Sequence, residues 1–166
     1  MAQKPELART LRQLNEALLD LSDDYRKVGE RHATGHDMFH IAHHLAAQCD
    51  LQAQALQPHA ERYGEELAEP EADGMWESLL AGLRRMQAVA AGRRAAPGLL
   101  LLRDLRQLHL AIEEAAMLWL VIGQAAQALR DRELLTTVER AREEMTKQLM
   151  WVTTRITEAA PQVLAA

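Results

Sequence analysis

The amino-acid sequence predicts an all-α fold: an up-down four-helix bundle with a short crossover helix between the second and third long helices. The composition is rich in Ala, Leu, Glu, Arg and Gln, and aromatic residues make up only 4% of the chain. These are helix-forming residues. Four long stretches also repeat apolar residues at alternating spacings of three and four, which is the pattern of a helix with one buried face.

The first helix is predicted over residues 5–32. Its apolar stripe is Leu7, Leu11, Leu14, Leu18, Leu21, Tyr25 and Val28. This narrow seam is typical of helices that pack side by side. The second helix is predicted over residues 35–63, with Thr34 as its N-cap and Gly64 as its natural stop.

A shorter amphipathic helix is predicted over residues 75–91, after an acidic linker. Pro97 then opens a third long helix, predicted over residues 97–130, because proline is favourable in a first turn. The fourth helix is predicted over residues 132–158, with Asp131 as its N-cap. One continuous helix from Pro97 onward is the alternative, and it implies a swapped assembly. We prefer a tight turn because a folded-back pair buries more surface within one chain.

Length, charge and cysteine content limit the class of protein. The 166 residues fit a single helical domain, 1–166, and the formal charge of −5 argues against a nucleic-acid partner. Cys49 is the only cysteine, so the chain has no internal disulfide and suits a reducing compartment. The N-terminal residues lack the apolar core of a signal peptide. The longest apolar run, 115–123, is far shorter than the roughly 20 residues that a bilayer needs. We therefore expect a cytoplasmic protein that does not associate with membranes.

Four histidines, His36, His40, His43 and His44, lie close together on the second predicted helix. A helical wheel places them within about 80° of one another and roughly opposite the apolar side of that helix. They should therefore face solvent or a partner subunit. Histidines four residues apart can hold Zn, Cu or Ni, and a second chain could complete such a site across a two-fold axis. The alternative is a solvated helix face that becomes charged below about pH 6.5.

The predicted bundle centre lacks the residues of a di-iron site. Such a site needs Glu on two helices and Glu-x-x-His on the other two, and the sequence contains no Glu-x-x-His. Only His109 and Glu113, four residues apart on the third helix, form a candidate pair. They either make a local hydrogen bond or serve as ligands of a single metal ion. No nucleophile with an adjacent base stands out, so we lean against an enzyme and expect no cofactor, with a transition metal as the alternative.

Apolar residues surround the third helix near its middle, in the block 117–122. Leu110, Met117 and Val121 lie away from the stripe that faces the rest of the chain. A helix that is apolar on every side is deeply buried or lies at an interface. Another subunit or the crossover helix could cover this side of the third helix, and we favour a homodimer.

Two segments resemble the YciE/YciF-type ferritin-like proteins, which are bacterial bundles associated with stress responses. FHIAHHLAAQCDLQAQAL is similar to the second helix of that family, and QLHLAIEEAAMLW is similar to its third helix. The resemblance implies a ferritin-like bundle in which His44, His109 and Glu113 match metal-binding positions and His44 points inward. Positions that the family fills with metal-binding acids are apolar here, at Ala42, Ala46 and Leu108. The resemblance therefore implies a relative without an intact di-iron site.

The sequence thus favours a non-enzymatic, ferritin-like bundle that is dimeric and acts by interaction or in stress protection. The alternative is a metal-binding protein that uses the helix-two histidines or His109 with Glu113. A di-iron oxidase or peroxidase is the least favoured reading.

Overall fold

The computed structural model describes residues 4–70 and 97–165, and within them the chain forms four α-helices and no β-strand. The helices are α1 (Pro5–Arg31), α2 (His36–Arg62), α3 (Pro97–Leu129) and α4 (Arg132–Leu164). The all-α prediction is confirmed. The first three helices begin and end within one residue of the predicted bounds, whereas α4 continues past residue 158. The predicted crossover helix at 75–91 lies outside the described residues.

The four helices surround one apolar core. α1 packs against α2 and α3 packs against α4, while α1 also contacts α3 and α2 contacts α4. The apolar stripes meet in this core, and its largest fully buried side chains include Trp119, Tyr25, Leu11, Leu56 and Ile112. Burial of these stripes drives association of helices that would be marginal alone.

One end of the bundle is held together by a buried carboxylate, and we call it the Asp104 end. Asp104 lies near the start of α3 and is only 2% exposed. Arg31 Nη1 donates to both of its oxygens, at 2.7 and 2.8 Å, and His32 Nε2 lies 2.8 Å from Oδ2. A buried charge is tolerated when it is paired in this way. The end of α1 is thereby fixed against the start of α3.

The opposite end, which we call the Asp131 end, joins the end of α2 to the start of α4. Arg130 adopts a positive φ of 56° between α3 and α4, and Asp131 caps α4 by accepting from the backbone N–H of Leu134 at 3.1 Å. Arg62 and Tyr63 also donate to the Asp131 carboxylate. The predicted tight turn and N-cap are both confirmed, and α3 and α4 are separate helices.

These contacts fix the directions of the helices. α2 ends at the Asp131 end, whereas α3 begins at the Asp104 end, so α2 and α3 run parallel and every adjacent pair runs antiparallel. The chain after α2 begins its return along α1. Arg12 pairs with Glu65, and Asn15 donates to the carbonyl of Ala68 at 2.9 Å.

The predicted cap of α2 is wrong. α2 begins at His36 after Gly35, and no side chain caps it. The Gly35 N–H bonds to the carbonyl of His32, and this turn delays the helix so that Thr34 is not adjacent to the first helical residue. Pro58 lies inside α2, which continues past it to Arg62.

By length and composition alone, α3 meets the requirements for a membrane-spanning helix, and it is the one described helix that does. Core helices of soluble bundles meet the same requirements. Nine α3 residues are buried within this bundle. The absence of membrane association stays a prediction.

Candidate functional site

Of the helix-two histidines, the structure describes the side chains of His40, His43 and His44, and these do not all face the same way. His40 and His44 are exposed, and His44 lies 3.3 Å from the side-chain nitrogen of Gln48. The wheel therefore places His44 correctly, and the inward orientation implied by the family resemblance is wrong. The side chain of His36, the first residue of α2, lies outside what the structure describes.

His43 is half-buried and turns toward α1 rather than fully outward. Its Nδ1 lies 2.9 Å from the carbonyl of Phe39, and its ring packs on the Phe39 ring with centroids 4.2 Å apart. Gly29 of α1 provides the space, because a Cβ there would lie 2.9 Å from the Ala42 Cβ and 3.1 Å from His43 Nδ1. This contact separates His43 from the exposed histidines.

His109 and Glu113 lie on the flank of α3, with 4.0 Å between Nε2 and the nearest carboxylate oxygen. The other ring nitrogen, Nδ1, is buried and has no hydrogen-bond partner. Among the described residues, no group of three or more His, Cys, Asp or Glu side chains is arranged to hold a metal ion. Within that part of the chain, the candidate ligands offer pairs at most.

The middle of the core contains neutral polar side chains. The Tyr25 hydroxyl donates to Gln148 Oε1 at 3.0 Å, and both side chains are buried. Gln148 Nε2 donates to Gln48 Oε1 at 3.4 Å, while the Cys49 thiol lies 3.8 Å from Gln148. Burial raises the pKa of Tyr25 and raises that of Cys49 to about 12, so both stay protonated at neutral pH. Cys49 is therefore neither a thiolate ligand nor a nucleophile.

A second polar group lies one turn further along α2. The buried Trp119 indole N–H donates to Gln52 Oε1 at 3.1 Å, and Gln52 Nε2 donates to Glu144 Oε2 at 2.8 Å. Each polar atom of the Gln52 amide is thus engaged. Glu144 is half-buried and forms no ion pair within the described part of the chain.

These side chains do not fit a di-iron centre. Such a centre needs several inward carboxylates and histidines, whereas the central polar groups of the described helices are amides, a phenol and a thiol, with Glu144 as the one carboxylate among them. Ala42 and Ala46 are fully buried where the resembled family carries acids. The central network joins α1, α2 and α4 through hydrogen bonds between neutral side chains.

A third polar network ties α2 to α4 near the Asp131 end. Arg62 Nη2 donates to His59 Nδ1 at 2.6 Å, so the proton of the neutral imidazole sits on Nε2, which donates to Thr137 Oγ1 at 2.9 Å. Burial lowers the pKa of His59, and the nearby Arg62 lowers it further. Burial alone would raise the pKa of Asp131, but its hydrogen bonds and Arg62 outweigh this effect and lower it.

The outer side of α3 is apolar and exposed. Leu110, Met117 and Val121 are 57%, 58% and 50% exposed, which agrees with their predicted position away from the intrachain stripe. Arg103 and Arg106 lie on the N-terminal part of this side. The surface made by these five residues with Leu99, Glu113 and Glu114 is called the α3 face below.

No family model matches the chain, and no curated protein or solved structure does so either.

Sequence reasoning missed the buried polar residues. They are Asn15, Ser22, Gln52, His59, Asp104 and Gln148. Each lies three residues from one position of its helix's apolar stripe and four from another. A wider buried face on each helix, one that includes the positions beside the apolar stripe, would have indicated them.

Proposed function

We propose that this chain is a non-enzymatic, ferritin-like four-helix bundle without an intact di-iron site, which acts as a homodimer in an interaction or stress-associated role. The observation that carries the proposal is the α3 face. Its four apolar side chains, Leu99, Leu110, Met117 and Val121, are all at least half exposed, and exposed apolar side chains grouped on one helix face favour a protein interface. The helix directions support the ferritin-like assignment, because a bundle with one long crossover connects parallel α2 and α3 in this way.

The charges of the α3 face favour a second copy of the chain as its partner. Arg103 and Arg106 lie on one half of this face, and Glu113 and Glu114 follow about two turns later. Arg103, Arg106 and Glu114 form no ion pair within the described residues. A two-fold axis near Leu110 packs two α3 helices antiparallel, so that the arginines of each copy lie against the glutamates of the other.

The same axis also matches the apolar residues. Leu110 meets Leu110 of the second copy, and Leu99 meets the region of Val121. Parallel packing would instead place arginines opposite arginines, which is unfavourable. The proposal therefore specifies the orientation of the dimer as well as the face.

The first test is the mass of the protein in solution, by light scattering or sedimentation. We expect a dimer that becomes a monomer in Leu110→Glu, because a charge is then buried at the axis. Leu51→Glu is the matched control, since Leu51 is a similarly exposed leucine on α2. A wild-type monomer at high concentration, or equal effects of the two variants, would contradict the dimer.

Cysteine cross-linking tests the orientation. Leu110→Cys should form a disulfide between copies, whereas Leu99→Cys should not, because antiparallel packing separates those positions by roughly 30 Å at 1.5 Å per residue. Cys49 is buried and does not compete. Charge reversal adds a second readout: Arg106→Glu should weaken the dimer, and Glu114→Arg in the same chain should restore it, because an axis at Leu110 sets Arg106 of one copy opposite Glu114 of the other. Cross-linking through Leu99→Cys would show a parallel dimer and refute this arrangement.

Metal binding through His109 and Glu113 is the second candidate function. It is favoured by the 4.0 Å separation of His109 Nε2 from the Glu113 carboxylate and by the position of the pair at the edge of the α3 face, where a second copy could add ligands. Metal content of the untagged protein tests it. A stoichiometric metal that is lost in His109→Ala would establish this site. Loss in a His36, His40 and His44 triple alanine variant would instead place the metal on α2.

A further inference from the structure

Polar residue pairs join α2 to α4 along the line where the two helices pack, which we call the seam. The residue number rises along α2 by as much as it falls along α4 from one pair to the next, as expected for antiparallel helices. The pairs are Gln48 with Gln148, Gln52 with Glu144, and His59 with Thr137. The step between the second and third pairs sets Ala55 opposite Ala141. Two alanines are too small to fill the seam there.

A cavity of about 350 Å³ opens at this position. The buried residues Trp119 and Ala141 lie at its inner end, and the exposed residues Leu51 and Ala55 lie at its rim. This volume lies at the lower end of the range of ligand-binding pockets, so it suits a small molecule. The cavity lies on a different side of the bundle from the α3 face, and it does not depend on the proposed dimer.

Two opposite charges border the cavity. Glu144 is half-buried, and within residues 4–70 and 97–165 its carboxylate accepts only from Gln52. Arg140 is exposed one helical turn away and forms no ion pair within the described residues. Glu144 and Arg140 also form no ion pair with each other, although they lie four residues apart on one helix. Both charges are therefore available to a ligand.

We propose that this cavity binds a free α-amino acid with an apolar side chain. The ammonium group pairs with Glu144, the carboxylate pairs with Arg140, and the side chain enters between the two alanines above Trp119. A zwitterion matches both charges, whereas an amine or an acid leaves one of them unpaired at the edge of an apolar site. The apolar part of the lining, Leu51, Ala55 and Ala141, suits an aliphatic side chain.

Titration of isotope-labelled protein with L-leucine tests the proposal, with the indole N–H signal of Trp119 as the reporter. We expect a saturable shift of that signal. The analogues 4-methylpentanoate and 3-methylbutylamine each lack one charged group, and we expect each to bind about tenfold or more weakly, because each loses one charge-assisted contact. Glu144→Gln should weaken leucine binding by a similar factor.

The variants distinguish the cavity from other surfaces. Ala55→Leu should fill the cavity and abolish the shift, while Ala47→Leu, at an equally exposed position of the same helix that does not line the cavity, should leave it unchanged. Circular dichroism checks that both variants remain helical. The proposal is overturned if folded wild-type protein shows no saturable shift at millimolar leucine, or if Ala55→Leu binds like the wild type. Equal binding of leucine and 3-methylbutylamine would overturn the role of Arg140.

Discussion

Replacing Gln148 with leucine should destabilise the bundle because it removes the hydrogen-bond acceptor of the Tyr25 hydroxyl. Gln148 is fully buried, and its Oε1 accepts from the Tyr25 hydroxyl at 3.0 Å. Leucine has a similar size, so packing changes little. The Tyr25 hydroxyl, however, keeps its buried position and loses its acceptor, since burial leaves no water within reach.

Most of the expected cost comes from the unsatisfied Tyr25 hydroxyl, because the other two partners of Gln148 are the half-buried Gln48 and the weakly hydrogen-bonding Cys49 thiol. A buried polar group without a partner costs about 1–3 kcal/mol, so Gln148→Leu should lower the free energy of unfolding by about 2 kcal/mol. Tyr25→Phe alone should cost about 1 kcal/mol, because it leaves the Gln148 carbonyl with only a weak thiol donor. The double variant removes both partners and should lie within about 1 kcal/mol of the wild type.

Urea unfolding followed by far-UV circular dichroism measures all four proteins in one double-mutant cycle. The stabilities should be non-additive, with the double variant more stable than Gln148→Leu. Costs of the two single changes that add to within about 0.5 kcal/mol would refute the reasoning, because independent sites behave in that way. The central network would then contribute nothing as a unit.

Two further changes test other parts of the fold. Burial lowers the pKa of His59, so below about pH 6.5 the unfolded chain binds a proton more readily than the folded chain does. The free energy of unfolding should therefore be highest above about pH 6.5 and should fall as the pH decreases from there through the lowered pKa. This loss, followed by thermal unfolding across pH, should be absent in His59→Gln, and an identical pH profile for both proteins would contradict it. Gly64 has a φ of +82° and open space around it, so Gly64→Ala should cost about 1 kcal/mol of backbone strain. Gly35→Ala, at a φ of −88°, is the control, and equal melting temperatures for the two variants would be evidence against strain at Gly64.

The helices could be predicted from the sequence because their signals are local. The three-and-four spacing of apolar residues identified all four long helices, and Pro97 and Asp131 marked two of the boundaries correctly. The start of α2 was predicted less well. Thr34 looks like an N-cap, but the turn that places Gly35 before the helix depends on a backbone hydrogen bond to His32.

The interior of the bundle could not be predicted in the same way. A polar residue beside the stripe faces either solvent or a neighbouring helix, and only the packing of all four helices decides which. Gln52 and Gln148 are buried because α2 and α4 bring them close to Trp119 and Tyr25, from two other helices. The position of His43 depends likewise on the glycine at residue 29 of α1.

The turn between α3 and α4 affects whether two chains can exchange their last helices. Arg130 sits in a left-handed conformation that costs a non-glycine residue about 1–2 kcal/mol, and straightening the two helices into one rod would release that strain. The folded-back hairpin persists because Asp131 is tied to Arg62 and Tyr63 of the preceding half of the chain. Asp131 thus stabilises the strained turn between α3 and α4. If its contacts were lost, we expect domain swapping of α4 between chains at high protein concentration.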